Sequence, residues 1–254
     1  MTPVVLVCDE GPGAGLGHRR RCEAIAQALR AAGVAAAVVP SSRGVVAAPV
    51  LVVDSYRYRA DDRRHFVPDV VVAIDDLERD LDVDAVVVPA PGTPTSYVAT
   101  ARRAVLAGAP YALVGPEVTA RGVVALRSDV QRVLVTTGAT DSHGTGAAIA
   151  AAVLGAHPGL EVRLVVGAWG HRGVPDGVEA VVAPSGLTEE LVAADLVVTA
   201  GGVTLLEAMA LGRPCVAVAT ADNQLPNLDA AAAAGAAIVT LPGTAAEAVD
   251  MLCR

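Results

Sequence analysis

Short aliphatic runs built mainly on valine recur along the chain, with helical patterns between most of them. In the first half "PVVLVC" (3–8), "AAAVV" (35–39), "PVLVVD" (49–54), "DVVVAI" (69–74) and "DAVVV" (84–88) read as strands. In the second half "RVLVTT" (132–137), "EVRLVV" (161–166), "VEAVVA" (178–183), "DLVVTA" (195–200), "CVAVAT" (215–220) and "AAIVTL" (236–241) do the same. Runs this uniformly apolar suit strands covered on both faces, the condition of a parallel sheet flanked by helices. Aromatic residues make up 2% of the chain, so such a core must be filled by Val, Ala and Leu.

The stretch from His18 to Ala32 places Ile25, Ala28, Leu29 and Ala32 on one helical face and ends at Gly33. Further helical patterns fall at about 143–154, 187–194, 203–211 and 224–234, and "ADDRRHF" (60–66) and "SYVATARRAVL" (96–106) are candidate helices. The rhythm breaks once, at "LVGPEVTARGVVALRSDVQ" (113–131), where turn formers and polar residues gather. The chain is therefore expected to be α/β, with a Rossmann-like domain over 1–117, a linker over 118–130 and a second Rossmann-like domain over 131–254. Parallel sheets of this kind take ligands at the carboxyl ends of their strands, so a cleft with both sheets facing it is the expected site.

The formal net charge is −8 and every basic side chain other than histidine is arginine. Phosphate neutralisation supplies most non-specific nucleic-acid affinity, so an acidic chain poor in aromatic residues is not expected to bind nucleic acid. No apolar stretch approaches the roughly 20 residues that span a bilayer, and the N-terminal residues lack the basic region of a signal peptide. Cys8, Cys22, Cys215 and Cys253 are scattered without a C-x-x-C pair, which predicts reduced thiols rather than disulfides or a metal centre. The expectation is a cytoplasmic protein, a monomer or weak homodimer, with no cofactor and no metal.

Four loops follow strands and carry chemistry. The first, "DEGPGAGLGHRRRC", has glycines that imitate a dinucleotide fingerprint. The second strand, however, runs into "VVPSSRG" without the acidic residue a nicotinamide site wants. Gly15 and Gly17 instead suit close backbone approach to a ligand, with His18 at the first turn of the helix. A general base must be neutral, and the positive end of a helix dipole disfavours the cation; a surface cap is the plainer use of the same histidine. The second loop, "TAGGVTLLE" (199–207), turns at Gly201 and Gly202 into a helix at Val203 and Thr204. Its free N–H groups suit a diphosphate, with Glu207 one turn in to meet a ribose diol or simply to stabilise the helix dipole.

In the third loop, "TGATDSHGTG" (137–146), Gly138, Thr140 and Asp141 face a ligand, or Asp141 and Ser142 cap the next helix. The fourth, "ADNQLPN" (221–227), brings the amides of Asn223, Gln224 and Asn227 to the same edge, for sugar hydroxyls or for loop and cap chemistry. Asp54, Tyr56, Asp75 and Asp76 end two strands of the first half.

The order G-x-G-H-x-x-R-C, V-D-S-Y, I-D-D, Y-A-L, G-x-x-D, G-G-x-T-L-x-E and N-Q resembles the UDP-2,4-diacetamido-2,4,6-trideoxy-β-L-altropyranose hydrolases of pseudaminic acid synthesis. That family is related to the GT-B glycosyltransferases, especially the N-acetylglucosaminyltransferase that makes lipid II, and the G-G-x-T-x-x-E block is common to the wider set. The resemblance implies a GT-B-like fold and a metal-independent UDP-sugar hydrolase. His18 matches the catalytic histidine that handles the attacking water, Tyr56 and Asn223 match sugar contacts, and Gly202, Val203, Thr204 and Glu207 match the uridine-diphosphate loop. Together with the loops above, the candidate catalytic residues are His18, Tyr56 and Asp141. Gly15, Gly17, Arg21, Gly138, Thr140, Gly201, Gln224 and the matched residues are expected to hold UDP and sugar.

Two departures stand out: Ala139 replaces a glycine, and Arg19 and Arg20 add charge at the helix start. A nucleoside diphosphate leaves as a stable anion, so one base for water and N–H groups for the growing charge would suffice. The expected activity is release of UDP and free sugar. A small GT-B glycosyltransferase with a UDP-sugar donor, or a non-catalytic sugar-nucleotide-binding subunit, are the alternatives.

Overall fold

The computed structural model describes residues 3–43, 48–63, 68–77, 79–90, 101–141, 143–170, 173–183 and 185–253. The chain divides into two units, residues 1–116 and 117–254. Each is built on a six-stranded parallel sheet.

In the first unit β1 (Val4–Cys8), β2 (Ala36–Pro40), β3 (Val50–Asp54), β4 (Val70–Ile74), β5 (Val83–Val87) and β6 (Ala101–Leu106) lie in the order β2-β1-β3-β4-β5-β6. Helix α1 (Gly17–Ala31) makes the crossover from β1 to β2. The chain then returns to the other side of β1, and the order reverses between β1 and β3, where Cys8 stands beside Asp54. Loops leaving such a pair diverge and open a crevice at the carboxyl edge.

The inner face of α1 follows the apolar pattern in part, with Ile25 and Leu29 packed on the core. Ala28 and Ala32 are exposed, while His18, Arg21, Cys22 and Ala26 are buried. Two polar residues tolerate that place because they satisfy one another and the carboxylates of β3 and β4, as described below.

Residues 101–106 also depart from expectation. Their alanines and arginines favour a helix, but they form the edge strand β6, paired with β5; residues 96–100 lie outside the described residues. Ladder pairing outweighs a propensity difference of a few tenths of a kcal/mol per residue. Arg102 and Arg103 pair with Asp82 at 2.5 Å and Asp84 at 3.3 Å, placing charge on an edge that would otherwise invite another strand. Of "ADDRRHF", Ala60–Asp62 form a three-residue 3₁₀ turn, and residues 64–66 lie outside the described residues.

The second unit contains α2 (Pro116–Arg121), β7 (Arg132–Thr136), α3 (Thr145–Ala156), β8 (Glu161–Val165), β9 (Glu179–Val181) and α4 (Thr188–Ala193). It continues with β10 (Leu196–Ala200), α5 (Val203–Ala210), β11 (Cys215–Val218), α6 (Leu225–Ala233), β12 (Ile238–Thr240) and α7 (Ala245–Cys253). The sheet order is β12-β11-β10-β7-β8-β9, reversing between β7 and β10. Every residue of β10 is buried, as its unbroken apolar run requires. On one face Val133, Val135, Val198 and Val216 pack with Ile149 and Val153 of α3 and Val249 of α7. Helix α7, which the sequence pattern did not single out, therefore closes part of this core.

Residues 124–132 are tied to the second unit. Val124 N–H donates to the Leu211 carbonyl at 3.0 Å, and Asp195 accepts from the backbone N–H groups of Gln131 and Arg132 at 3.0 and 2.9 Å. No helix among the described residues is long and apolar enough to cross a membrane.

Leu134 on β7 is fully buried. Leu134→Ala should cost about 2–5 kcal/mol. Urea unfolding followed by circular dichroism should show the loss in the transition that melts the second unit.

Candidate functional site

At the first unit's point of reversal, the loop after β1 folds back on itself, with Gly15 N–H donating to the Gly11 carbonyl at 2.9 Å and Gly15 at φ +73°. Gly17 then opens α1, whose N-terminus has no side-chain cap. His18 follows and is 3% exposed. Its Nδ1 lies 2.5 Å from Asp54 Oδ1. A carboxylate only accepts, so Nδ1 carries the proton and Nε2 is left as the ring's acceptor.

Arg21, one turn further along α1, grips the same carboxylate with two bonds, Nε to Oδ2 and Nη2 to Oδ1, both 2.8 Å. Its Nη1 reaches Asp76 Oδ2 at 3.1 Å. Nη2 also stands 3.1 Å from His18 Nδ1. Both nitrogens are donors, and their closeness follows from sharing Asp54 Oδ1. Tyr56 O–H donates to the other Asp76 oxygen at 2.9 Å, and its ring meets the imidazole edge to face with centroids 4.5 Å apart. The start of α1, the end of β3 with its following loop, and the loop after β4 thus converge on one buried network that fixes the tautomer and tilt of His18.

Burial opposes the Asp54 charge, but Arg21 and the His18 hydrogen bond outweigh it and hold its carboxyl below the usual carboxylate range. Burial likewise opposes the Arg21 cation, and Asp54 and Asp76 hold its pKa above the ordinary guanidinium value.

Asp9, which no motif marked, is the second brace. Its carboxylate accepts from Ser41 Oγ at 2.6 Å, Ser55 Oγ at 2.8 Å and Tyr56 N–H at 3.0 Å, tying the end of β1 to the loop after β3. Its place one residue beyond a strand was the available signal. Arg19 bonds Glu10 and Glu23, both at 2.8 Å, so its charge is spent on neighbouring carboxylates. Asp75 is held by Arg79 Nε at 2.6 Å.

In the second unit the loops after β7 and β10 flank the other reversal. Asp141 accepts from Thr137 Oγ1 at 2.7 Å, Thr145 N–H at 2.9 Å and Gly146 N–H at 2.7 Å. The carboxylate therefore caps α3, the plainer of the two roles open to it. Ser142 lies outside the described residues. Gly138, at φ +100°, and Thr140 are exposed on the same loop.

After β10, Gly201 is buried so tightly that a Cβ would lie 2.8 Å from Leu228 and 2.9 Å from Gln224, which is why glycine stands there. Gly202 is extended and α5 opens at Val203 with no side-chain cap, although Thr204 follows. Glu207 is 4% exposed on that helix. Gln224 Oε1 accepts from Thr220 N–H at 3.0 Å, and Asn223 is half-buried in the 3₁₀ turn Asp222–Gln224. Asn227, expected at the ligand edge, is buried, and its Nδ2 donates to the Gly201 carbonyl at 2.8 Å. It holds the glycine turn in place.

No protein-family model matches the chain, and no curated protein sequence does. Solved structures do. The glycosyltransferase SnogD from Streptomyces nogalater is 19% identical with a TM-score of 0.57, over 99% of this chain and 90% of that one. SpnG, a spinosyn rhamnosyltransferase complexed with thymidine diphosphate, is 16% identical over 99% and 91%, with a TM-score of 0.58. SsfS6 from Streptomyces sp. SF2575, also complexed with thymidine diphosphate, is 13% identical over 99% and 91%, with a TM-score of 0.61. The chain has the two-unit α/β fold of GT-B glycosyltransferases. These findings carry the fold and not the hydrolase family that the motifs resemble.

Removing one partner of a buried ion pair typically costs about 3–5 kcal/mol, so Asp54→Asn should destabilise the fold strongly at pH 7. Because the folded Asp54 pKa is depressed, its contribution is full above the unfolded value of about 3.9 and fades as pH falls through the folded one. Urea unfolding at a series of pH values should show the gap between wild type and Asp54→Asn closing below about pH 4. A gap that does not change with pH would mean the folded carboxyl is uncharged.

Proposed function

We propose that this chain transfers a sugar from a nucleoside diphosphate to a hydroxyl acceptor. The observation that carries the reading is the buried His18–Asp54 pair, 2.5 Å apart, in a fold shared with glycosyltransferases. Two of those were solved with thymidine diphosphate, which makes a pyrimidine nucleoside diphosphate the donor to test first.

In this reading His18 Nε2 takes the acceptor's hydroxyl proton as the oxygen attacks the anomeric carbon. The new C–O bond forms as the bond to the diphosphate breaks, and the electron pair leaves on the β-phosphate oxygen. Asp54 stabilises the imidazolium, and Tyr56 and Arg21 keep the ring in position. The uncapped start of α5, after Gly201 and Gly202, offers N–H groups to the leaving diphosphate, and Glu207 serves the ribose.

Water in place of the acceptor would make the same machinery a nucleotide-sugar hydrolase. That second reading is favoured by one observation: His18, Arg21, Asp54 and Tyr56, which carry the hydrolase-like motifs, form a single network.

The test is release of nucleoside diphosphate from UDP- and TDP-sugars, with and without hydroxyl acceptors. Acceptor-dependent release supports transfer, and equal release without acceptor supports hydrolysis. His18→Ala should lower turnover about 10²-fold or more while nucleotide affinity survives. Glu207→Ala should weaken nucleotide binding about tenfold, the scale of a hydrogen bond to a charged group. Turnover that withstands loss of His18 would remove both catalytic readings.

A further inference from the structure

The second unit, residues 117–254, contains one aromatic residue, Trp169. It is 39% exposed. It lies on the loop after β8, at the carboxyl edge of the sheet, and β8 is the neighbour of β7 on the side away from the reversal.

An exposed indole on a loose loop would mean little, but this loop is not loose. Trp169 N–H donates to the Ala139 carbonyl at 2.9 Å. Two residues earlier Gly167 presses on the loop after β7, where a Cβ would meet the Gly138 carbonyl oxygen at 2.6 Å and Ala139 at 2.8 Å. Gly170 N–H closes the turn onto the Gly167 carbonyl at 3.3 Å. That neighbouring loop is itself anchored by Asp141 to the start of α3. The indole is therefore carried on a braced ledge beside the loops that flank the reversal, with its apolar area left toward solvent.

Carried on backbone that is fixed before any ligand arrives, a flat π-face gains dispersion and hydrophobic contact on stacking with another flat ring. We infer that Trp169 is the stacking platform for the nucleobase of the sugar donor. The inference rests on the nucleotide-sugar reading above and adds to it the residue that recognises the base. A stacking platform accepts any π-face, so it supplies affinity for a base and leaves the choice among bases to other contacts.

Because Trp169 is the chain's sole tryptophan, its own fluorescence reports on it. The full chain is titrated with UDP, TDP and inorganic pyrophosphate, with calorimetry alongside. UDP and TDP should quench the emission by about half, and pyrophosphate should leave it unchanged. Trp169→Ala should weaken UDP about tenfold to a hundredfold, the range for losing one stacked base. Trp169→Tyr should restore most of that affinity, and neither substitution should alter pyrophosphate binding.

If UDP binds by calorimetry without quenching and Trp169→Ala binds it equally well, the platform assignment falls and the nucleotide reading stands. Quenching as strong with pyrophosphate as with UDP would also overturn the assignment, since no base is then involved. Absence of binding heat with every nucleotide would sink both.

Discussion

The first unit's site depends on one carboxylate. Asp54 ends β3 in the interior and accepts from His18 once and from Arg21 twice. Without the guanidinium it would be a buried unpaired charge, and without Asp54 the guanidinium would be one. Desolvation on this scale is tolerated only because nearly every donor and acceptor is used, Asp76 taking Arg21 on one oxygen and Tyr56 on the other. The geometry of the imidazole is thus set by the same bonds that make burial of the charges possible.

The second unit arranges its edge by different means. The loops after β7 and β10 are held by a helix cap at Asp141, a side-chain amide at Asn227 and close glycine packing at Gly201. This leaves the N-terminus of α5 without a side-chain cap. One unit buries an imidazole among braced charges and the other leaves a helix start uncapped, on sheets of nearly the same design.

Much of this was legible from residue order alone, for identifiable reasons. Continuous valine runs such as "VLVVD" and "LVVTA" have no other economical place than a strand covered on both faces, and they became β3 and β10. Residues 101–106 misled because Ala and Arg favour a helix locally, and pairing with β5 is a long-range fact that no short window contains. The inner face of α1 misled for a related reason. Apolar periodicity placed Ile25 and Leu29 rightly against the core, but it also pointed to the exposed Ala28 and Ala32 and missed His18 and Arg21, whose burial rests on two distant carboxylates. Asp141 stayed open in the sequence because a cap and a ligand contact both want a short acid before a helix. Trp169 carried no motif, and its meaning came only from the backbone contacts that fix its loop.

His18 and Arg21 are one turn apart on the same helix, and both bond to Asp54 on the sheet. The imidazole and the guanidinium therefore form one mechanical part. A slide or roll of α1 along β3 carries both groups together, so it cannot detune the imidazole by small degrees while the ion pair stays whole. Either α1 is seated and both contacts exist, or it is unseated and both are lost. Such gearing makes readiness for chemistry a yes-or-no property of how one helix sits on its sheet.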